Sequence, residues 1–168
     1  MKKTILRFLT AGLLSGWMMG IFLFSHQPAV ESSEISGTVS LGLVGRIDAL
    51  LQLDLPKETI ERIGQLIEYP VRKAAHMAEY AILGMLAYAF FRAMEIGKER
   101  HYPAAWIFAI CYAATDEIHQ LFVPGRSGSI YDVCIDGAGA AAGLLFLFLI
   151  RKSCHFKRKI RESIAKRG

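Results

Sequence analysis

The sequence predicts an all-α polytopic membrane protein, a bundle of four transmembrane helices with short amphipathic helices on its outer surface. Hydrophobic residues make up 53% of the 168 residues and the mean hydropathy is +0.32. That is too apolar for an ordinary soluble domain, and it also excludes a disordered chain. Four windows are long and apolar enough to cross a bilayer, and three of them carry their ionisable residues at a common depth. The length is typical of one domain.

The four predicted spans cover about residues 6–24, 74–91, 102–122 and 133–150. Each approaches the roughly 20 mostly apolar residues that a transmembrane helix needs. The last window reads VCIDGAGAAAGLLFLFLI, and its second half offers no polar face, unlike a surface helix of a soluble protein. Its small residues, among them Gly137, Gly139 and Gly143, predict a close approach to a neighbouring helix. The first window has the basic start of a signal peptide but no A-x-A cleavage site after it, so we predict a retained span.

Lysine and arginine placement predicts the orientation. The first seven residues carry three basic residues and no acid, and the tail 151–168 carries eight basic residues and one acid. Residues 26–69 carry seven acids against three bases. By the positive-inside rule both termini are cytoplasmic, residues 1–150 form the membrane domain, and residues 151–168 form a basic tail that attracts anionic lipid. The net charge of +5 therefore reflects topology, and no motif favours nucleic-acid binding.

The segment 38–68 between the first two spans has apolar residues at helical spacing on both sides of Asp54 and Pro56. This pattern predicts two short amphipathic helices on the outer surface, separated by a stop and a restart. Residues Glu31–Ser40 are predicted to form an exposed loop.

The strongest functional signal is a cluster of ionisable residues in the outer halves of spans two, three and four. Ionisable groups are costly in a bilayer and usually face a polar cavity that carries function. The candidate catalytic residues are His76, Glu79, Asp116, Glu117, His119, Asp132 and Asp136. Candidate substrate-binding residues at the same depth or in the adjoining loop are Lys73, Tyr80, Gln120 and Arg126. Pro124-Gly125 is typical of a type II turn, and Arg126 after it can bind a phosphate or carboxylate, or pair with Asp132 or Glu117.

The cluster is compatible with several chemistries. A divalent metal is one possible cofactor, with His76, Glu79, Asp116 and His119 as candidate ligands at the i, i+3 spacing found in helical-bundle metal sites. Metal-activated water, or an acid–base pair without metal, would make the protein an outer-leaflet hydrolase or transferase. A recognition site needs only hydrogen bonds and charge pairs around a cavity. A purely structural network that fixes helix packing is the remaining alternative.

Four stretches resemble the VanZ-like family of small integral membrane proteins over about Leu6–Ile150. They are FSHQ (24–27), KAAHMAEY (73–80), DEIHQLFVPGR (116–126), and the D-x-x-x-D-G spacing from Asp132 to Gly137. The resemblance adds Ser25 and Gln27 to the candidate binding residues and implies a four-span protein of a bacterial plasma membrane. It also implies a link to low-level resistance to teicoplanin, a lipid-bearing glycopeptide, but no particular reaction. We therefore predict a protein that binds or acts on a lipid-linked cell-envelope precursor or a lipid-bearing glycopeptide.

Overall fold

The computed structural model describes residues 1–96 and 100–165, with side chains described through residue 159. Its elements are five α-helices, and the described residues contain no strand. The helices are α1 (Lys2–Ser25), α2 (Ala29–Leu51), α3 (Lys57–Ala93), α4 (His101–Gln120) and α5 (Ile130–Ala165). The all-α prediction is confirmed.

Three of the helices are long and apolar enough to cross a membrane: Lys2–Ser25, Lys57–Ala93 and the Ile130–Lys159 part of α5. They contain the predicted first, second and fourth spans. The predicted third span forms helix α4, but α4 is not among these three, because its last turns carry Asp116, Glu117, His119 and Gln120. The part of the chain described here thus supports a membrane protein, with three candidate spans rather than four.

The outer segment differs from the prediction. The expected loop Glu31–Ser40 is helical, since α2 begins at Ala29 directly after Pro28. Its hydroxyls lie against the helix backbone rather than breaking the helix: Ser40 Oγ donates to the Ser36 carbonyl, and Ser36 Oγ lies 3.0 Å from the Ser32 carbonyl oxygen. Both serines are buried, so a Ser-rich stretch typical of a loop instead forms a packed helix face.

The predicted break near Asp54 and Pro56 is confirmed, because α2 ends at Leu51 and α3 begins at Lys57. The prediction of a separate second short helix is wrong, because the helix that begins at Lys57 does not end before the second predicted span. It continues through Pro70 into the second predicted span as the 37-residue helix α3. The tail likewise begins as a continuation of α5.

Helices α1 and α3 run in opposite directions. The start of α1 meets the end of α3, where Arg7 Nε donates to the Ala93 carbonyl, and further along Trp17 Nε1 donates to the Glu79 carbonyl. The core of the bundle is rich in alanine, including Ala87, Ala105 and Ala109, each fully buried.

Helices α3 and α5 pack backbone to backbone. A Cβ atom at Gly139 would collide with the backbone of Met77, and one at Gly143 with the backbone of Ala81. On the other side, a Cβ at Gly84 would lie 3.1 Å from the Ala140 carbonyl oxygen. The predicted role of small residues in close helix approach is confirmed, with Gly139 and Gly143 at the spacing typical of membrane-helix contacts.

Candidate functional site

A cavity of about 440 Å³ opens at the end of the bundle where α1 ends and α5 begins. We call it the polar cavity. Helices α2, α3, α4 and α5 and the loop between α4 and α5 contribute to its wall. Seven predicted site residues line it: Lys73, His76, Glu117, Gln120, Arg126, Asp132 and Asp136. Six predicted residues lie outside the lining: Ser25, Gln27, Glu79, Tyr80, Asp116 and His119.

Lys73 and Asp132 form an ion pair across the cavity wall, with 2.5 Å between Nζ and Oδ1. Both side chains are mostly buried, and the Lys73 ammonium also lies 5.3 Å from the centre of the Tyr69 ring. The pair joins α3 to the start of α5, and each group neutralises the other where water is limited.

Arg72 connects α3 to α2 at the rim. Its Nη1 donates to Ser33 Oγ at 3.0 Å and lies 3.6 Å from Glu68 Oε1. Ser36 Oγ donates to the same Glu68 oxygen at 2.7 Å. These contacts hold α2 against α3, so α2 forms one side of the cavity.

Arg126 is held by the turn that precedes it. Gly125 has φ 74°, and the Arg126 N–H donates to the Val123 carbonyl at 3.1 Å, as the predicted type II turn requires. The guanidinium donates to the Gln27 carbonyl at 2.8 Å and to the Phe24 carbonyl at 3.3 Å. Arg126 therefore anchors the end of α1, and no ion pair among the described residues joins it to Asp132 or Glu117.

The charge of Arg126 is available to a ligand, since backbone carbonyls carry no net charge. Burial lowers the pKa of its guanidinium, and the Asp116 carboxyl opposes that shift. An arginine remains protonated under such conditions. Gln27, predicted as a binding residue, acts here through its backbone oxygen.

Asp116 belongs to a buried network beside the cavity. Its Oδ2 accepts hydrogen bonds from Ser25 Oγ at 2.6 Å and from Gln120 Nε2 at 3.3 Å. All three side chains are at least 95% buried. The network joins the end of α1 to α4, and Gln120 extends it to the cavity surface.

Two further carboxylates face the cavity. Glu117 Oε2 accepts the Ser129 N–H at 2.7 Å, which fixes the start of α5 on α4. Asp136, one turn after Asp132 on α5, is 2% exposed and lines the cavity. Carboxylates that line a cavity can accept hydrogen bonds from ligand hydroxyls.

His76 faces the cavity, and its Nδ1 lies 3.9 Å from Glu79 Oε2 on the same helix. This distance is too long for a direct hydrogen bond. Tyr80 follows Glu79 and is fully buried, and its hydroxyl has no hydrogen-bond partner among the described residues.

His119 points away from the polar cavity. Its Nε2 lies 3.3 Å from His26 Nδ1, and the Phe22 ring lies 4.5 Å away, centre to centre. The structure thus separates His119 from His76, two residues that the sequence places at one depth. Within the described chain, no three His, Cys, Asp or Glu side chains are grouped so as to hold a metal ion. The four candidate ligands do not form one site.

Sequence reasoning missed the contribution of α2 and of the rim. Ser32, Ser33, Tyr69, Ser129 and Tyr131 all line the cavity. The prediction of a loop at Glu31–Ser40 removed Ser32 and Ser33 from consideration. Arg72, next to the predicted Lys73, could have been found from its depth alone.

The polar cavity holds both signs of charge within a small volume. Arg72, Lys73 and Arg126 supply cationic donors, and Glu117, Asp132 and Asp136 supply acceptors. A ligand that fits this lining carries an anionic group such as phosphate together with hydroxyl or amide donors. The same lining can move protons, since histidine and carboxylates stand at one surface.

No curated protein and no solved structure matches this chain. The sequence model of the VanZ/LLP1 family matches residues 10–151, which include every residue that lines the polar cavity. The chain therefore belongs to the VanZ/LLP1 family.

Proposed function

We propose that the polar cavity binds the headgroup of a lipid-linked cell-envelope precursor or of a lipid-bearing glycopeptide. The observation that carries the proposal is a mixed-charge cavity of about 440 Å³ at one end of a bundle of membrane-type helices. A ligand with a polar headgroup and a lipid anchor suits both the mixed-charge cavity and the apolar helices around it. Its headgroup enters the cavity while its chain stays among the exposed apolar side chains.

Arg126 supports binding of an anionic group. The guanidinium is already oriented by two backbone carbonyls, so a ligand pays little conformational entropy to engage its remaining donors. Arg72 is likewise held by Ser33 and Glu68. Lys73 is neutralised by Asp132, which leaves Arg126 as the main positive charge facing a phosphate.

Asp136 and Glu117 support binding of hydroxyl groups. Both line the cavity and can accept hydrogen bonds from a sugar or peptide headgroup. A cavity lined by both arginine and carboxylates fits a glycan phosphate better than a bare lipid phosphate.

The proposal includes a specific topology. We place α4 as a fourth span beside the three candidate spans, both termini in the cytoplasm, and the cavity at the outer leaflet of a bacterial plasma membrane. The support is the basic N-terminus and tail together with the acidic segment 26–69. Low-level teicoplanin resistance is the phenotype we expect from headgroup binding at this position.

A matched pair of histidine variants tests the phenotype. His76 lines the cavity and His119 does not, yet both lie on helices at similar depth. Wild type, His76→Gln and His119→Gln are expressed at equal membrane levels in a teicoplanin-sensitive Gram-positive host, and the inhibitory concentration is measured. We expect wild type and His119→Gln to protect and His76→Gln to fail. Equal protection by all three would remove the cavity from the mechanism.

Direct binding tests the headgroup assignment without a phenotype. Purified full-length protein in zwitterionic micelles is titrated with a polyprenyl diphosphate. Arg126→Gln is expected to weaken binding at least about tenfold, the loss typical of one charge-assisted contact. His119→Gln serves as the control with unchanged affinity, and circular dichroism checks that both variants fold. Equal affinity of all forms would contradict the proposal.

A second candidate, an acid–base hydrolase or transferase, is favoured by one observation: His76 faces the cavity and has Glu79 at 3.9 Å behind it. Glu79 would then hold the imidazole as a positioning residue while His76 moves the proton. Release of headgroup from a polyprenyl-diphosphate glycan by wild type, with loss in His76→Gln and a shifted pH profile in Glu79→Gln, would support it. Binding without turnover would leave only the recognition function.

A further inference from the structure

A second cavity, of about 450 Å³, lies at the opposite end of the bundle. We call it the arginine cavity, after Arg92, Arg151 and Arg158, which line it together with Cys154 and His155. The 16 residues from His76 to Arg92 correspond to about 24 Å of α-helix. The two cavities share no residue.

Two helices supply the lining of the arginine cavity. Arg151, Cys154, His155 and Arg158 recur at the i, i+3, i+4 and i+7 positions that form one face of α5. Arg92 comes from the last turn of α3 across from that face. Among the described residues that line this cavity, none is acidic.

The arginines are partly fixed before any ligand arrives. The Arg151 guanidinium lies 5.4 Å from the centre of the Tyr88 ring, a cation–π distance. Arg158 Nη2 lies 3.5 Å from His155 Nδ1. Arg92 and Arg151 bring two guanidinium groups to one cavity, where like charges repel, and an anion placed there relieves that repulsion.

We propose that the arginine cavity binds the phosphate headgroup of a single anionic phospholipid. The planar guanidinium can donate two parallel hydrogen bonds to a phosphate, and two helices here contribute such groups to one cavity. The cavity follows directly after the apolar run Leu144–Ile150 of α5. Phe148, one turn before Arg151 on the same face, is 46% exposed and offers a surface to an acyl chain.

This site differs from the general attraction of a basic tail to anionic lipid. In diffuse attraction, every positive charge near the membrane surface contributes about equally to lipid binding. A bound headgroup instead depends on the arginines that line the cavity and much less on neighbouring lysines. Lys152 and Lys157 lie on the same stretch of α5 but outside the lining, and both are exposed. They provide a matched control.

The test counts bound lipid by native mass spectrometry. Full-length protein in zwitterionic micelles is titrated with dioctanoyl phosphatidylglycerol. The cavity variant carries Arg92→Gln with Arg151→Gln, and the control carries Lys152→Gln with Lys157→Gln, so both lose two positive charges. We expect one saturable lipid on wild type and on the control, and at least about tenfold weaker binding to the cavity variant.

Equal losses in the two double variants would show diffuse attraction and overturn the proposal, as would binding that never saturates. Inorganic phosphate that displaces the lipid at equal concentration would make free phosphate the ligand and overturn the lipid assignment. Where the cavity variant fails to fold, Arg151→Lys replaces it, since lysine keeps the charge but lacks the two-pronged geometry. We then expect weakened binding at unchanged net charge.

Cys154 offers an independent readout, because it lines the cavity and is exposed. In a Cys111→Ala, Cys134→Ala background, phosphatidylglycerol is expected to slow maleimide labelling of Cys154, whereas phosphatidylcholine is not. Equal labelling rates with both lipids would contradict a headgroup bound in this cavity.

Discussion

The two ends of the bundle accommodate charged side chains differently. At the polar cavity, acids and bases are buried and partnered: Lys73 with Asp132, Asp116 with Ser25 and Gln120, and Glu117 with the Ser129 amide. At the arginine cavity, side chains of one sign stand at an open surface. Partnered groups are tied to the fold, whereas Arg92 and Arg151 at the second cavity attract an external anion.

This contrast predicts where substitutions act. Changes at the polar cavity leave a buried partner unsatisfied and so affect stability as well as binding. Changes at the arginine cavity affect ligand affinity with little effect on folding. Both ends depend on the same contact between α3 and α5, which runs between them.

The largest loss of stability is expected from a substitution that disrupts the contact between α3 and α5, on which both cavities depend. Leucine at Gly143 would drive its side chain into the backbone of Ala81, which cannot move as a side-chain tip can. We expect Gly143→Leu to cost about 3 kcal/mol or more, the upper range for overpacking, and to reduce folded protein in the membrane. Unfolding of the purified protein in mixed micelles measures the loss.

Gly16 on α1 gives the matched control, because no described atom lies within 4 Å of a Cβ placed there. Gly16→Leu is expected to leave the stability unchanged or slightly higher, since leucine favours a helix over glycine. Equal losses at both positions would show that the close approach of α3 and α5 contributes nothing specific.

The sequence predicted the helices and their close contact from physics that acts locally. Apolar runs define α1, the second half of α3 and the central part of α5, and the small residues of α5 mark the face that meets α3. The Pro124-Gly125 turn was readable because Gly125 needs a positive φ. Family motifs covered nearly the same stretch that the family model matches.

The remainder depends on tertiary contacts that one sequence does not reveal. Depth along a helix was readable, but rotation about its axis was not, and so His119 was grouped with His76 although it faces His26. The low helix propensity of serine favours a loop at Glu31–Ser40. Burial of the serine-bearing face of α2 stabilises the helix instead. Of the two predicted roles of Arg126, binding an anionic ligand and pairing with Asp132 or Glu117, the pairing is absent among the described residues, and the guanidinium donates to two carbonyls at the end of α1.

A smaller effect is expected from the buried network at the polar end alone. Asp116→Ala removes the acceptor of Ser25 and Gln120 where water has little access. We expect a loss of about 2 kcal/mol, within the range for unsatisfied buried donors. Asp116→Asn keeps one oxygen and is expected to lose less. The midpoint of unfolding in mixed micelles distinguishes the two variants.

Phosphatidylglycerol binding at the arginine cavity is expected to be unchanged in Asp116→Asn, because that end has its own lining. A parallel loss of lipid binding would mean that the two cavities are coupled through the helices and do not bind independently.

The smallest effect compares one ion pair from each end. Lys73 and Asp132 are 20% and 22% exposed, whereas Lys3 and Glu95 are 79% and 55% exposed, although their charged atoms are only 2.7 Å apart. Because solvent screens the second pair, the short distance between its charged atoms does not make the interaction strong. Double-mutant cycles with Lys→Met and Asp→Asn or Glu→Gln are expected to give a coupling energy of about 1 kcal/mol for the first pair and below about 0.5 kcal/mol for the second. A coupling for Lys3–Glu95 equal to that of Lys73–Asp132 would mean that burial does not separate the two ends, and the distinction between a partnered end and an open one would fail at its simplest point.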